Sequence, residues 1–310
     1  MAGLVTVFGG GGFLGRYVAQ ELLRRRARVR IAERRPRDAW FIKPLGSLGQ
    51  TEFLAADVRR REGVIRAADG ADAVINLVGV LSGDFQGLHV DGARHVAEAA
   101  AIAQAKALVH VSAIGAAADS PSAYGRSKAA GEAAARAAFP GATIVRPSIL
   151  FGQEDNFVNR LARMAAALPF VPVVRGETKF QPVWVKDVAE AIVDAALDPG
   201  RHAGHTYELG GPEVLSMTAL NRWVAGAVGR RPRVTELPDG LGALMARFGF
   251  LPGAPISWTQ WLMLRRDNVV APGAEGFAAF GIQPAPLAAV APRWLVQYRR
   301  HGRFGQDATA

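Results

Sequence analysis

The chain of 310 residues contains no cysteine. Disulfides, thiolate metal sites and iron–sulfur ligation by this chain are therefore excluded. No uninterrupted apolar stretch reaches the ~18 residues that a membrane-spanning helix needs. The six histidines lack the HExxH spacing of zinc hydrolases, and we predict no metal site. No basic segment precedes the first apolar run, so we expect no signal peptide and a cytoplasmic location.

Acidic residues are scarce relative to basic ones. Lys and Arg total 37, Asp and Glu total 27, and the formal net charge is +10. Such an excess attracts nucleic acid, anionic lipid or an acidic protein partner. Because the sequence shows no module in which basic residues alternate with aromatic ones, we do not expect a nucleic-acid partner.

Glycines at a fixed spacing follow the first apolar run. That run is typical of a strand, and Gly9, Gly12 and Gly15 then stand three residues apart before an amphipathic helix. The first glycine permits a tight turn, the second lets the backbone approach a pyrophosphate, and the third allows close packing of helix on strand. The helix start offers free N–H groups to phosphates. We predict a dinucleotide-binding turn that includes Phe13 and Leu14.

Strand and helix patterns alternate through the first half of the chain, which predicts βαβ units and a doubly wound parallel sheet. We expect a dinucleotide-binding domain over 1–150, with its sheet completed by about 180–210. After Arg146 the rhythm breaks, and 151–302 are predicted to form mainly a small mixed α/β lobe. Residues 303–310 are predicted to be a flexible tail.

The second predicted strand ends at Glu33, Arg34 and Arg35. An acid at this place accepts the ribose 2′-hydroxyl of NAD, whereas arginine accommodates the 2′-phosphate of NADP. The two arginines favour NADP(H), and NAD stays as the alternative if Glu33 binds the ribose. Asp57 is expected to meet the adenine amino group, to cap a helix, or to do both. Because ligands bind at the carboxyl ends of the strands in such sheets, further cofactor contacts are expected at Val58, Val78, Gly79 and Pro147.

Tyr124 and Lys128 form a YxxxK arrangement on a predicted helix. The four-residue spacing puts both side chains on one face. An ammonium beside a phenol lowers the pKa of the phenol, so that tyrosine can act as acid or base. Lysine can also hydrogen-bond the nicotinamide ribose. We therefore predict a catalytic or cofactor-binding pair.

These motifs resemble the extended and atypical short-chain dehydrogenases. The likeness is carried by GGGGFLG at 9–15, Asp57, NLVG at 76–79, YGRSK at 124–128 and RPS at 146–148. The second half resembles one branch, the short-chain-dehydrogenase-like accessory subunit of respiratory complex I and its bacterial relatives, in FQPVWVKDV at 180–188, GGP at 210–212 and APRWL at 291–295. The resemblance covers nearly the whole chain. It implies a Rossmann domain with a small C-terminal lobe and tightly held NADPH.

One position departs from the active members of this family. They carry Ser or Thr after the fifth strand to polarise a substrate carbonyl, and here Ala113 stands at that position with Ser112 one residue earlier. Ser112 stays a catalytic candidate if the geometry of its loop brings its hydroxyl into the site. Loss of the polarising group would instead suit a subunit that binds the cofactor without turning it over. The alternatives are an active oxidoreductase or epimerase, acting on a sugar nucleotide or a hydrophobic ketone, and a cofactor-sensing regulator that binds another protein.

The segment from about 240 to 266 is rich in large apolar side chains. These side chains either fill the core of the small lobe or form an amphipathic surface for a membrane-associated partner. The resemblance implies complex I subunits as partners and a peripheral place on the cytoplasmic face of the inner membrane. The residues are Leu241, Leu244, Met245, Phe248, Phe250, Leu251, Trp258, Trp261, Leu262, Met263 and Leu264, followed by Arg265 and Arg266.

Overall fold

The computed structural model describes residues 3–249, 256–300 and 302. Phe250, Leu251 and the predicted tail over 303–310 lie outside these residues. In chain order the strands are β1 (Leu4–Phe8), β2 (Arg28–Glu33), β3 (Thr51–Ala55), β4 (Ala73–Asn76), β5 (Ala107–Val111), β6 (Thr143–Pro147), β7 (Leu150–Phe151), β8 (Phe170–Val174), β9 (Lys179–Phe180), β10 (Val183–Trp184), β11 (Thr206–Leu209), β12 (Leu215–Ser216) and β13 (Arg233–Leu237).

Helices connect most of these strands, and a π-helical turn over Gln86–Asp91 leads directly into the third. Helices of 3-10 type span Pro36–Leu45, Phe277–Phe280 and Val296–Tyr298. The α-helices are α1 (Phe13–Arg24), α2 (Arg61–Ala68), α3 (Gly92–Ile102), α4 (Ala123–Ala138), α5 (Val158–Ala167), α6 (Val185–Leu197), α7 (Pro199–His202), α8 (Met217–Ala227), α9 (Asp239–Arg247), α10 (Trp258–Met263), α11 (Leu287–Val290) and α12 (Pro292–Leu295).

The central sheet has seven strands in the order β11-β6-β5-β4-β1-β2-β3, and every neighbouring pair is parallel. Strands β1, β4 and β5 are buried along their whole length. Their nearly continuous apolar sequences are typical of strands that helices cover on both faces. The predicted α/β fold with a Rossmann-type parallel sheet is therefore confirmed. The direction of the connections reverses between β1 and β4, which is where ligands bind in such sheets.

The chain forms two compact units. The first contains the residues up to 147 together with 185–209 and 272–283. One of its cores joins Phe8 and Leu108 of the sheet to Val64 and Val96 of the helices, with many alanines between them. Small side chains on α3 and α4 let these helices pack closely, since both are alanine-rich.

The second unit contains the described residues of 148–184, of 210–271 and from 284 onward. Its core packs α5 and α8 against β8, and its largest buried side chains include Phe151, Phe180 and Trp294. Small two-stranded sheets replace the βα rhythm here. No helix within the described part of the chain has the length and apolarity to span a bilayer.

Two local expectations are wrong. Asp187 with Glu190 three residues later is a capping-box pattern, which predicts that a helix starts after Asp187, but α6 begins at Val185 and Asp187 lies buried within its first turn. The helix continues directly from β10, so no capping residue separates the two elements. The sequence from about Leu287 to Arg300 also predicts one continuous helical segment, but the structure divides it into α11, α12 and a 3-10 turn. Pro292 starts a new helix there, because proline suits a first helical position better than an interior one.

Gly15 is the tightest point between α1 and the turn before it. A Cβ on Gly15 would lie 2.4 Å from the Gly9 carbonyl oxygen and 2.5 Å from that of Gly10. We expect Gly15→Ala to lower the free energy of unfolding by about 1–3 kcal/mol, the usual penalty of overpacking. The control is Gly63→Ala in α2, where the new Cβ meets its nearest neighbour at 3.9 Å. That variant should be neutral or more stable by up to about 1 kcal/mol. Urea unfolding measures both, and equal effects would refute the steric argument.

Candidate cofactor site

The glycine turn lies at the carboxyl end of β1, in the middle of the sheet. Gly9 has a φ of +81°, and a Cβ there would come within 3.3 Å of the backbone at Leu77 and Val78, which follow β4. The Gly12 N–H donates to the Gly9 carbonyl at 3.1 Å. The turn is therefore closed by its own backbone, and it lies beside the chain leaving the neighbouring strand.

The first turn of α1 begins directly after this turn. Its N-cap is Gly12, which has no side chain to accept the N–H groups at Phe13 and Leu14, and the first turn contains no acidic residue. The first N–H groups of a helix have no acceptor inside it. This arrangement fits a diphosphate, because the helix start offers donors and a partial positive charge to an anion.

Glu33 contacts the glycine turn. Its Oε1 accepts the N–H of Gly11 at 2.7 Å. The carboxylate therefore supports the turn and has one oxygen already occupied. Arg34 and Arg35 follow and are exposed, and Arg35 forms an ion pair of 3.3 Å with Asp38. Of the two arginines proposed for a 2′-phosphate, Arg34 has no ion pair with an acidic residue in the described part of the chain.

Asp57 follows β3 and is held by Arg59. Both of its carboxylate oxygens accept from the Arg59 guanidinium, at 3.0 and 2.6 Å, and Oδ1 also accepts the Arg59 backbone N–H. The hydrogen bond from the Arg59 side chain is the main cause that lowers the pKa of Asp57 to about 2. The alternative role as cap of α2 is wrong, since the N-cap of α2 is Arg60. Contact with adenine stays a prediction.

The other predicted cofactor contacts lie near the ends of the strands. Val58 is buried, and the Val78 N–H donates to the side chain of Asn76. A Cβ on Gly79 would lie 3.7 Å from the Lys128 amine. Pro147 ends β6 and is buried. The structure thus brings Gly79 to the Tyr124–Lys128 pair.

Lys128 is buried on α4, one turn after Tyr124. Its Nζ donates to the Val111 carbonyl at 2.7 Å, which links the helix to the end of β5. Burial is the main cause that lowers the pKa of Lys128 to about 8. Burial also raises the pKa of Tyr124 to about 12, which is opposite to the lowering predicted from the neighbouring ammonium. In a poorly hydrated site the cost of forming a phenolate outweighs that attraction.

Ser112 follows β5 directly and is buried. Its N–H donates to the Val145 carbonyl, and its Oγ has no hydrogen-bond partner among the described residues. Ala113 comes next and has no hydroxyl. An unpartnered buried hydroxyl is unfavourable unless a ligand or water satisfies it. No cluster of histidine and acidic side chains suited to a metal ion occurs in the described residues.

His89 is a site residue that the sequence analysis did not predict. Its Nε2 accepts the Val80 N–H at 2.9 Å, so its proton is on Nδ1, 2.8 Å from Ser127 Oγ. Ser127 Oγ in turn donates to the Tyr124 carbonyl at 2.8 Å. The rings of His89 and Tyr124 meet edge to face with centroids 5.6 Å apart. Burial, reinforced by the charge of Lys128, lowers the pKa of His89 to about 4, so the ring is neutral.

Comparison with known proteins finds matches over most of the chain. The NAD dependent epimerase/dehydratase family matches residues 5–210. The chain is 35% identical to "NADH dehydrogenase (ubiquinone) 1 alpha subcomplex subunit 9, mitochondrial" of Arabidopsis thaliana, over 100% of this chain and 82% of the relative. It is 31% identical to the "NADH-ubiquinone oxidoreductase 40 kDa subunit, mitochondrial" of Neurospora crassa, over 96% of this chain and 80% of the relative.

Two further similarities concern reductases. The chain is 32% identical to a "Ceramide reductase" of Caulobacter vibrioides, over 82% of this chain and 80% of the relative. Its fold is similar to that of an NADPH-dependent quinone oxidoreductase of Escherichia coli in complex with NADPH, with a TM-score of 0.76 and 19% identity over 94% of this chain and 99% of that one. At this identity the structural likeness bears on the fold alone.

The buried amine of Lys128 predicts a pH-dependent stability. Its pKa of about 8 in the folded chain is below its ordinary value of 10.5, so the folded state binds fewer protons between these values. The wild type should therefore gain stability as the pH rises through that window. Lys128→Met lacks this titration, and its stability relative to the wild type should fall by roughly 2–3 kcal/mol between about pH 7 and about pH 10.5.

Urea unfolding at a series of pH values measures this difference. Lys106→Met, at an exposed lysine, is the control for the loss of a lysine side chain. A Lys128→Met curve that runs parallel to the wild-type curve would contradict the assignment of a buried, easily deprotonated amine.

Proposed function

Because the chain belongs to the NAD dependent epimerase/dehydratase family, we propose that it holds NADPH at the glycine turn and serves as an accessory or assembly subunit of a respiratory NADH:ubiquinone oxidoreductase, complex I. The partner half of this proposal is supported by the relatives, which are named as subunits of that enzyme and match this chain over nearly its whole length. The cofactor half is supported by the chemistry of the described residues.

One observation carries the cofactor half. Donors without protein acceptors accumulate at the carboxyl ends of the central strands. An ammonium group has three donors, and among the described residues Lys128 gives one of them to Val111. The Ser112 hydroxyl and the first N–H groups of α1 lie in the same unit. Donors left in this way fit a ligand rich in acceptor oxygens, which a dinucleotide is.

Each residue then has a separate task in holding the cofactor. The N–H groups of Phe13 and Leu14 bind the diphosphate, and Arg34 binds the 2′-phosphate. Lys128 and Tyr124 hydrogen-bond the nicotinamide ribose. Bound NADPH would supply a hydride wherever a reaction occurs. NAD stays as the alternative cofactor, but Glu33 already uses one carboxylate oxygen on the glycine turn.

The residue at the carbonyl-polarising position, Ala113, favours a structural role for the protein. Ala113 lacks the hydroxyl that would stabilise a developing oxyanion, and loss of one such donor typically costs about 2.7–4 kcal/mol of transition-state stabilisation. His89 and Ser127 fix the helix turn that carries Tyr124 through backbone and side-chain hydrogen bonds. These contacts hold Tyr124 in a fixed position.

An active reductase for a hydrophobic ketone is the second candidate. The buried, unpartnered Oγ of Ser112 favours it, as does the similarity to a protein named ceramide reductase. The two candidates differ in a direct assay. Sustained oxidation of NADPH with a panel of long-chain ketones would favour the reductase, whereas NADPH that stays bound and unoxidised would favour the subunit.

A surface for the partner is available on the second unit. Leu241, Leu244 and Phe248 on or next to α9 are exposed, as is Trp258 at the start of α10. Trp261 is buried instead, and its ring stacks on that of Trp258 with centroids 4.8 Å apart. Exposed apolar side chains in such number favour an interaction site. We propose that this surface docks on complex I at the cytoplasmic face of the inner membrane.

Replacement of Arg34 tests the cofactor assignment. Arg34→Glu should weaken NADPH binding by about 1.5–3 kcal/mol, the scale of a hydrogen bond to a charged group, and should leave NADH binding nearly unchanged. The matched control is Arg28→Glu, at the opposite, exposed end of the same strand. Isothermal titration calorimetry measures the affinities of the wild type and of both variants for each of the two cofactors. An equal loss for both cofactors would remove the phosphate-binding role from Arg34.

Replacement of the exposed apolar residues tests the partner surface. The double variant Leu244→Ser and Trp258→Ser should separate from complex I while still binding NADPH. Val214→Ser, at an exposed residue of the same unit, is the control. Co-purification from native cells followed by mass spectrometry measures association. A double variant that still co-purifies with complex I would exclude this surface as the contact.

A further inference from the structure

The segment after β2 exposes a second group of aromatic and aliphatic side chains, on the first unit. Trp40 is 46% exposed, and Leu48 has its whole side chain in solvent. Phe41 and Leu45 are also exposed. The 3-10 helix that carries most of them is anchored by Ala39 and Ile42, which are fully buried. We call the group Arg37, Trp40, Phe41, Lys43, Leu45 and Leu48 the Trp40 surface.

The loop that carries Leu48 is held by hydrogen bonds. Gln50 Oε1 accepts the Ser47 N–H at 2.9 Å, and Gln50 Nε2 donates to the Leu23 and Ala27 carbonyls, both at 3.0 Å. These bonds tie the loop to the end of α1. The exposure of Leu48 is therefore a property of a defined loop conformation.

Cations are stacked on the exposed aromatic rings. A 3-10 helix has three residues per turn, so Arg37, Trp40 and Lys43 follow one another along one side. The Lys43 Nζ lies 4.1 Å and the Arg37 Cζ 5.6 Å from the centre of the Trp40 ring. On the neighbouring residue, the Arg16 Cζ lies 4.3 Å from the centre of the Phe41 ring.

The charge of this surface has one sign. From residue 34 to residue 48 the chain carries four basic side chains and one acidic side chain, Asp38. Asp38 is itself paired with Arg35. Arg37 and Lys43 form no ion pair with an acidic residue in the described part of the chain, so the exposed indole lies beside two unpaired positive charges, on a chain of net charge +10.

We propose that the Trp40 surface binds the headgroup region of an anionic phospholipid bilayer. Tryptophan at an interface keeps its ring among the acyl chains near the headgroups and its N–H in a polar layer. Lysine and arginine beside it extend to lipid phosphates. Leu45 and Leu48 enter the outer part of the acyl region. The proposal is independent of the cofactor and of complex I.

Flotation of the full-length protein with vesicles tests the proposal. The probes are vesicles of phosphatidylcholine alone and of phosphatidylcholine mixed with phosphatidylglycerol. The wild type should float with the mixed vesicles, and added salt should weaken this binding because it screens exposed charges. The double variant Arg37→Gln and Lys43→Gln should partition roughly 10- to 30-fold more weakly, since each basic side chain near an anionic surface contributes about a fivefold factor.

A second double variant, Trp40→Ala and Leu48→Ser, removes the apolar contribution and should float less with the mixed vesicles. The control pairs Arg66→Gln with Ile102→Ser, which are exposed residues of the same unit outside this surface. Circular dichroism melting verifies that each variant is folded.

Three outcomes would overturn the proposal. The wild type fails to float with anionic vesicles, or both surface variants float like the control, or Trp258→Ser alone abolishes flotation. Binding to native membranes that is lost after protease treatment of those membranes, without any vesicle binding, would assign the surface to a protein partner instead. Loss of NADPH or complex I binding in the variants of the previous section leaves the vesicle result unaffected, so the two proposals fail separately.

Discussion

The close approach of the first helix to the turn before it is the contact on which the cofactor site depends. Gly15 lies so near the carbonyl oxygens of Gly9 and Gly10 that a Cβ at this position would overlap both oxygens. This approach directs the start of α1 at the carboxyl ends of the central strands. The left-handed conformation of Gly9 is needed for the same turn, and the neighbouring Leu77 backbone limits its space. The end of β1, the start of α1 and the chain that leaves β4 thus meet at one point. The glycines leave almost no side-chain volume between these elements.

Local patterns were sufficient to predict the sheet and the glycine turn. Strand and helix patterns that alternate along the chain predict a parallel sheet, because the helices then cover both faces of the strands. The four-residue spacing of Tyr124 and Lys128 likewise determines that they share a helix face. His89 was not found in this way, because its importance arises only when its π-helical turn packs on α4. The sequence does not indicate that His89 lies beside Gly79, because only the fold brings these two residues within contact distance.

Solvent exposure differs between residues of one segment that the sequence alone does not distinguish. Trp258 and Trp261 belong to one apolar segment, yet one ring is exposed and the other is covered. The pKa of Tyr124 is raised, and not lowered as the sequence predicts, because the loss of hydration outweighs the effect of the nearby ammonium. Sequence gives the neighbours along a helix, whereas solvent access is decided by elements distant in the chain. Which residues share a helix face is therefore easier to predict from sequence than the electrostatic state of those residues.

The edge of the central sheet comes from late in the chain. Strand β11 pairs with β6, and the Glu208 N–H within it donates to the carbonyl of Glu275. During synthesis, the glycine turn and its helix emerge first, while the segment over 272–283 follows only after most of the second unit has left the ribosome. At about 5–20 residues per second the open sheet edge would persist for several seconds. Until β11 and then the segment over 272–283 emerge, β6 presents an unpaired parallel edge, and an edge of this kind can pair with other chains.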